Sequence, residues 1–277
     1  MMLLLGVLRS SGLALPSLRT AHQLPTLSRR LIHYSKIMMM AAAKDSENYN
    51  LAQDPSELFD TYPAPPTLEQ FNSIISPDWG AKFFPSPQAT GKVKERSQVH
   101  RDGDWHRSIQ VWIYQKSEDA TNNSTRVLLQ RRSPYKDTHP NLLDVSCAGH
   151  VNAGDDVAET TMREMEEELG YNGVMNGRYS IEDVKNSRMF TVTSAIEGET
   201  ERHGKYICRE YQDVFILQWN GDSSMKTSDF APMVKEEVTG FELIDGQQLI
   251  HKLRIRDEDF VPRSSQYIDA LENVFGC

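Results

Sequence analysis

Glu164, Glu167 and Glu168 stand three and four residues apart in the run Arg163-Glu-Met-Glu-Glu-Glu-Leu-Gly170. On a helix that spacing gathers side chains on one face. At about 100° per residue the three carboxylates share an arc of about 100°, and Glu166 points elsewhere. Like charges so placed repel and weaken a helix by a few tenths of a kcal/mol, about 0.2–0.5 per pair. A hard divalent cation removes that penalty, and oxygen donors of this kind suit Mg²⁺ or Mn²⁺. On their own such faces are more often solvated acidic surfaces than metal sites.

The element that must carry them begins at Asp156, whose carboxylate can accept from backbone N–H groups, with Glu159 three residues on to complete a capping box. Gly170 is the matching stop. The spacing therefore predicts a helix over Asp156–Leu169. Ala158, Met162, Met165 and Leu169 form its apolar stripe, next to the arc of glutamates.

Upstream and downstream the pattern is mixed α/β. Strands are expected at Leu58–Tyr62, Ile109–Tyr114, Arg126–Gln130, Asp144–Ala148, Arg188–Ala195, Tyr211–Trp219 and Val238–Ile244. Pro63, Pro65 and Pro66 break the chain after the first of these. A short helix is expected at Thr67–Ile75 and a closing one at Pro262–Phe275.

The chain has 277 residues and a net charge of −9, with 39% apolar and 25% charged residues. That suits one enzyme-sized domain with extensions and speaks against broad binding of nucleic-acid polymers. Three cysteines, Cys147, Cys208 and Cys277, make neither a disulfide framework nor a zinc knuckle. Asn122 and Asn123 each begin an N-x-S/T triplet and are taken as plain loop residues. Residues 1–44 hold six basic residues and no acid, leaving 24 basic against 39 acidic, or −15, in the remainder. That asymmetry is expected of a transit peptide, and Arg30-Leu-Ile-His-Tyr-Ser35 resembles a mitochondrial processing pattern. A chloroplast leader shares the composition, and a start at Met38, Met39 or Met40 would give a cytosolic form. No segment is long and apolar enough to predict a membrane span. The expected organisation is a leader over 1–44, an extension over 45–96 and the domain over 97–277.

The whole run from Gly149 to Tyr171 resembles the signature of the Nudix family: Gly, five residues, an acid, seven residues, then Arg-Glu-apolar-x-Glu-Glu-x-Gly-apolar. Gly149, Arg163, Glu164, Met165, Glu167, Glu168, Gly170 and Tyr171 stand in register, and Asp155 replaces the usual Glu. The resemblance is firm over roughly residues 97–245. It implies an α/β/α sandwich with a mixed sheet. It also implies metals on Glu164, Glu167 and Glu168, a salt bridge from Arg163 that orients a glutamate, and hydrolysis of a small-molecule diphosphate. Asp155 is the fourth candidate ligand, with a shorter reach. Glu236 and Glu237 are candidates for a general base from outside the helix.

A second resemblance, over Val99–Arg107 and Leu128–Asp137, is to the isopentenyl-diphosphate isomerase-like branch. It implies that Arg131, Arg132 and Lys136 face a diphosphate together with Gly149, His106 and His150. The two histidines fall where the isomerases carry metal-binding histidines. The isomerase also needs a cysteine two residues before His150, where this chain has Ala148. Cys147 would point to the opposite side of a strand and is expected to be buried. Hydrolysis is thus the leading expectation, ahead of isomerisation and of a non-catalytic diphosphate-binding module.

Overall fold

β-Branched and aromatic residues alternate with polar ones along the chain's central strand. In the computed structural model, which describes residues 54–65, 87–117, 124–136, 138–170, 178–200, 204–221, 224–233 and 236–275, this strand is β3 (Trp105–Lys116). The described residues all lie within one unit, Glu47–Cys277. The expected leader, the Thr67–Ile75 helix and the triplet asparagines Asn122 and Asn123 lie outside the described residues.

Two short strands, β1 (Leu58–Asp60) and β2 (Val93–Glu95), pair antiparallel ahead of helix α1 (Arg96–Asp102). β3 follows, then β4 (Thr125–Arg132), β5 (Leu143–Asp144), β6 (Cys147–His150) and helix α2 (Val157–Leu169). Next come α3 (Ile181–Asn186), the long hairpin β7 (Arg188–Thr200) and β8 (Gly204–Gln218), and β9 (Val238–Asp245). Helices α4 (Gly246–Arg254) and α5 (Ser265–Phe275) close the described chain.

The seven-stranded sheet runs β5-β4-β3-β8-β7, with β6 also on β3 and β9 also on β4. It is mixed, because β3 and β8 pair in parallel while the other pairs are antiparallel. The expected single strand Asp144–Ala148 is corrected to two. β3 and β4 pair only over Ile113–Lys116 and Thr125–Leu128, and where they part β5 joins β4 while β6 joins β3. Ser146 spans the division: its Oγ donates to the Leu128 carbonyl at 2.6 Å and accepts from Ile113 N–H at 2.8 Å.

Pleating sorts the core into two layers. Ile109, Val111, Ile113, Leu128, Phe215 and Leu217 pack with Met165 and Leu169 of α2. Trp112, Val127, Leu129, Val214 and Ile216 pack on the other face with Leu249 and Leu253 of α4 and Tyr267 and Leu271 of α5. Helices on both faces of a mixed sheet make the α/β/α sandwich. Helix α4 was missing from the expected elements, although Asp245 caps it through Gln247 and Gln248 N–H. No helix among the described residues is long and apolar enough to cross a membrane.

Gly170 ends α2 for two reasons. Its φ is +101°, and a Cβ there would stand 1.9 Å from the Ala231 carbonyl oxygen. The segment it admits satisfies the helix end, with Ala231 N–H donating to Leu169 O and Met233 N–H to Glu167 O. Gly170→Ala is expected to lower stability by at least about 1 kcal/mol, read as a lower urea midpoint at unchanged slope; an unchanged midpoint would contradict this reading of the helix end.

Candidate active site

Helix α2 is positioned at both ends. Asp156 Oδ1 accepts from Ala158 N–H at 2.9 Å and Glu159 N–H at 3.1 Å. That is the expected Asp156 cap, but the box is corrected to a simple cap, because no bond from the Glu159 carboxylate back to Asp156 N–H is formed among the described residues. Burial of Met165 and Leu169 then presses the helix onto the sheet, each worth about 1.5–3 kcal/mol. The glutamate arc is thereby turned toward β6.

Gly149 of β6 sits directly under Glu164: a Cβ at Gly149 would lie 2.1 Å from the Glu164 carboxyl carbon. The glycine of the motif is therefore a steric requirement. Glu168, 4% exposed, directs Oε2 to Ala148 N–H at 2.8 Å and to the Gln130 amide at 3.1 Å. Arg163 donates to Asp155 at 3.0 Å and Glu164 at 3.1 Å, and its Nε lies 3.9 Å from Glu167. The expected salt bridge from Arg163 to a glutamate is thus present, and Asp155 is its second anchor.

Burial pushes the Glu164 carboxyl well above its ordinary range, Glu167 adds to this, and Arg163 opposes it. Burial also raises Glu168, to about 7, against the pull of Lys136 and with Glu237 adding to the rise. Burial disfavours the charged form of Arg163, but Glu164 and Glu167 outweigh it and hold the guanidinium charged. Packed oxygen donors that resist ionising together match a hard divalent cation in both donor type and charge.

The expected substrate-facing residues separate. Lys136 pairs with Glu237 at 2.9 Å, and both act electrostatically on Glu168. Arg132 also lowers Glu168, while its guanidinium is held by Asp144 at 3.2 Å and the Thr138 carbonyl at 2.9 Å. Arg131, next along β4, shares its parity with Leu129 and Val127 and so lies on the face away from α2. There it pairs with Glu242 and donates to the Asn141 carbonyl at 2.7 Å.

His106 and His150 also lie away from α2. With His100 of α1 and with Cys208 and Glu210 of β8 they form a second cluster. Phe59 of β1 stacks on both rings, at 5.4 and 5.0 Å between centroids. Burial lowers His100 to about 2, with His106 adding to the effect, and lowers His106 to about 4 against the pull of Glu210. Burial would raise Glu210, but His150, His106 and the Cys208 thiol hold it well below its ordinary value. Cys147 is buried in the α2-side core, as expected, and burial with Glu168 and Glu164 raises its thiol. Sequence reasoning missed Gln130, His100, Cys208 and Glu210. His100 lies in the segment already singled out for His106, and Cys208 and Glu210 have the i, i+2 spacing that shares one strand face.

Residues 106–264 match the NUDIX domain family. Nudix hydrolase 3 of Arabidopsis thaliana is 32% identical over 177 residues, which are 64% of this chain and 20% of that protein. An uncharacterized Nudix hydrolase of Clostridium acetobutylicum is 30% identical over 156 residues, 56% of this chain and 65% of that protein. The matches thus span less than two thirds of either relative. Isopentenyl-diphosphate Delta-isomerase of Cereibacter sphaeroides is 23% identical over 183 residues, 66% of this chain and 88% of that protein.

The raised Glu168 carboxyl fixes the sign of a stability change in the metal-free protein. A folded-state pKa above the unfolded value of about 4.3 contributes stability at low pH that is lost as pH rises through about 7. In EDTA the thermal midpoint should therefore fall between about pH 5 and pH 8, and Mg²⁺ should restore most of the loss at the upper end. A midpoint in EDTA that rises across this window would contradict the buried-carboxylate description.

Proposed function

The chain belongs to the Nudix family, and from that premise we propose that it hydrolyses a diphosphate bond in a small molecule, using Mg²⁺ or Mn²⁺ held by Glu164, Glu167 and Glu168. The observation that carries this is that Glu164 packs against Gly149 and is acted on electrostatically by Glu167 and Glu168 of the same helix, with Glu168 fixed by Ala148 N–H and Gln130 and with Arg163 bracing Glu164. The bound cation supplies charge neutralisation at the phosphoryl oxygens and lowers the pKa of a coordinated water.

The chain's own residues do the rest. Glu168 would help hold the cation, its carboxylate being fixed by Ala148 N–H and the Gln130 amide at Oε2. Lys136 and Arg132 bring positive charge to the same side and neutralise the remaining phosphate charge. Glu237, close enough to Glu164 and Glu168 to raise both, is the proposed general base, and Lys136 orients it. Asp155 serves as the anchor of Arg163. Arg131 lies on the other face and is left out of the phosphate-binding set. The substrate class is a nucleoside diphosphate derivative or another small-molecule diphosphate. The acid-free leader supports import into an organelle, and the run Arg30-Leu-Ile-His-Tyr-Ser35 favours mitochondria.

Isomerisation of an isoprenoid diphosphate is the second reading, favoured by the match to an isomerase. Against it stands Ala148, a residue without a proton to exchange. The test is a metal-dependent screen of diphosphates, reading phosphate or monophosphate release beside allylic product. Hydrolysis is expected to need Mg²⁺ or Mn²⁺ and to fall at least about 100-fold in Glu167→Gln and in Glu168→Gln, with the fold retained. Full activity in both variants would sink the proposed mechanism, and allylic product without phosphate release would favour the isomerase.

A further inference from the structure

The turn between β6 and α2 is held from outside the motif that contains it. Asp155 N–H donates to the Asn152 carbonyl at 3.0 Å and Gly154 takes φ +77°, so residues 152–155 close a β-turn. A Cβ at Gly154 would meet nothing within 4 Å, so the positive φ, and not crowding, calls for glycine there. The two central N–H groups of such a turn have no partner inside it and must be satisfied elsewhere. Both are taken by β1. Ala153 N–H donates to the Leu58 carbonyl at 2.8 Å, and Gly154 N–H donates to Asp60 Oδ2 at 2.8 Å. We infer that β1 is a strap on this turn and that Asp60 is a positioning residue for the divalent cation, acting through Asp155 and Arg163. Asp60 thereby adds to the metal-binding role proposed for α2, on which the strap depends.

The strap is itself fixed on both sides of Asp60. Phe59 is fully buried. β1 pairs with β2 in the register Leu58↔Glu95, Phe59↔Lys94 and Asp60↔Val93. Arg96 N–H donates to the Glu57 carbonyl at 2.7 Å, and Tyr62 N–H donates to the Trp105 carbonyl at 2.8 Å. The Tyr211 hydroxyl donates to the Pro63 carbonyl at 3.0 Å. An anchored backbone thus delivers the Asp60 carboxylate to Gly154.

Asp155 is the residue that the turn delivers in its own right. Its Oδ2 accepts from Arg163 Nη1 at 3.0 Å, and Arg163 Nη2 donates to Glu164 Oε1 at 3.1 Å. Arg163 Nε is buried, has no hydrogen-bond partner among the described residues and lies 3.9 Å from Glu167. The guanidinium therefore stands between two pulls, one from Asp155 at the turn and one from the glutamates of α2. With Asp155 in place, part of the fork is drawn away from Glu167. If the turn shifts, the guanidinium closes on Glu164 and Glu167 and pairs with the oxygens that a cation needs. The cation then has to displace an ion pair as well as shed water, and its affinity falls.

The test reads the Mn²⁺ affinity of the full chain by equilibrium dialysis, beside the thermal midpoint in EDTA. Asp60 is half-buried and its backbone pairings do not involve the side chain, so the EDTA midpoint of Asp60→Ala should stay near that of the wild type. Asp60→Ala should weaken Mn²⁺ binding about tenfold, the lower end of what groups behind metal ligands contribute. Asp60→Asn keeps an acceptor oxygen for Gly154 N–H and should recover most of that loss. Asp155→Ala should weaken binding at least as much. Adding Asp60→Ala to it should cost little more, because the link between turn and Arg163 is already cut. Unchanged affinity in Asp60→Ala, no recovery in Asp60→Asn, losses that add in full in the double variant, or a large fall of the EDTA midpoint in Asp60→Ala would each overturn the strap. Those results leave the dependence of Mn²⁺ binding on Glu168 intact. Equal Mn²⁺ binding by the wild type and Glu168→Gln would instead remove the metal helix, and the strap with it.

Discussion

Charge repulsion among Glu164, Glu167 and Glu168 is the constraint that the site is built around. Two of the three are drawn out of water, where like charges interact far more strongly than at a solvated surface. Each neighbouring feature answers that repulsion. Gly149 leaves room for Glu164, Arg163 ties Glu164 to Asp155, and Ala148 N–H with Gln130 fixes Glu168. These contacts keep the carboxylates together without neutralising them, because Arg163 is one positive charge among several negative ones. In the proposed function the remainder of the charge falls to Lys136 and to a divalent cation.

Strand β6 ties this arrangement to the rest of the molecule. Cys147 packs with the α2-side core and Ala148 with the opposite one. Gly149 therefore meets Glu164 while His150 meets Glu210. Four consecutive residues serve two chemically different clusters through pleating alone. The same alternation gives Arg131 and Arg132 different surroundings, although both are cations on one strand and both resemble phosphate ligands in sequence.

The carboxylate helix was legible because everything that defines it is local. Its cap, its stripe and its glutamate arc all lie within the stretch from Asp156 to Gly170, and the structure reproduces them. The strands were legible in kind, but the division at Ser146 was not, since it depends on where β3 and β4 part company. Helix α4 carried a readable signal, Asp245 followed by Leu249, Ile250 and Leu253 at helical spacing, that went unread. Gln130 was illegible for a different reason. Its partner Glu168 is 38 residues away, and an amide in an apolar strand carries no mark of its purpose. Cys208 and Glu210 belong to the same class, because only the parallel pairing of β3 with β8 brings them beside His106.

The account stands on the carboxylates of α2 holding a divalent cation. Electron paramagnetic resonance of Mn²⁺ added to the chain, with Glu168 intact or changed to Gln, tests this most directly, because the signal of free Mn²⁺ falls as the ion binds. The account predicts saturable Mn²⁺ binding that Mg²⁺ displaces and that weakens sharply in Glu168→Gln. Equal Mn²⁺ binding with and without the Glu168 carboxylate would contradict it.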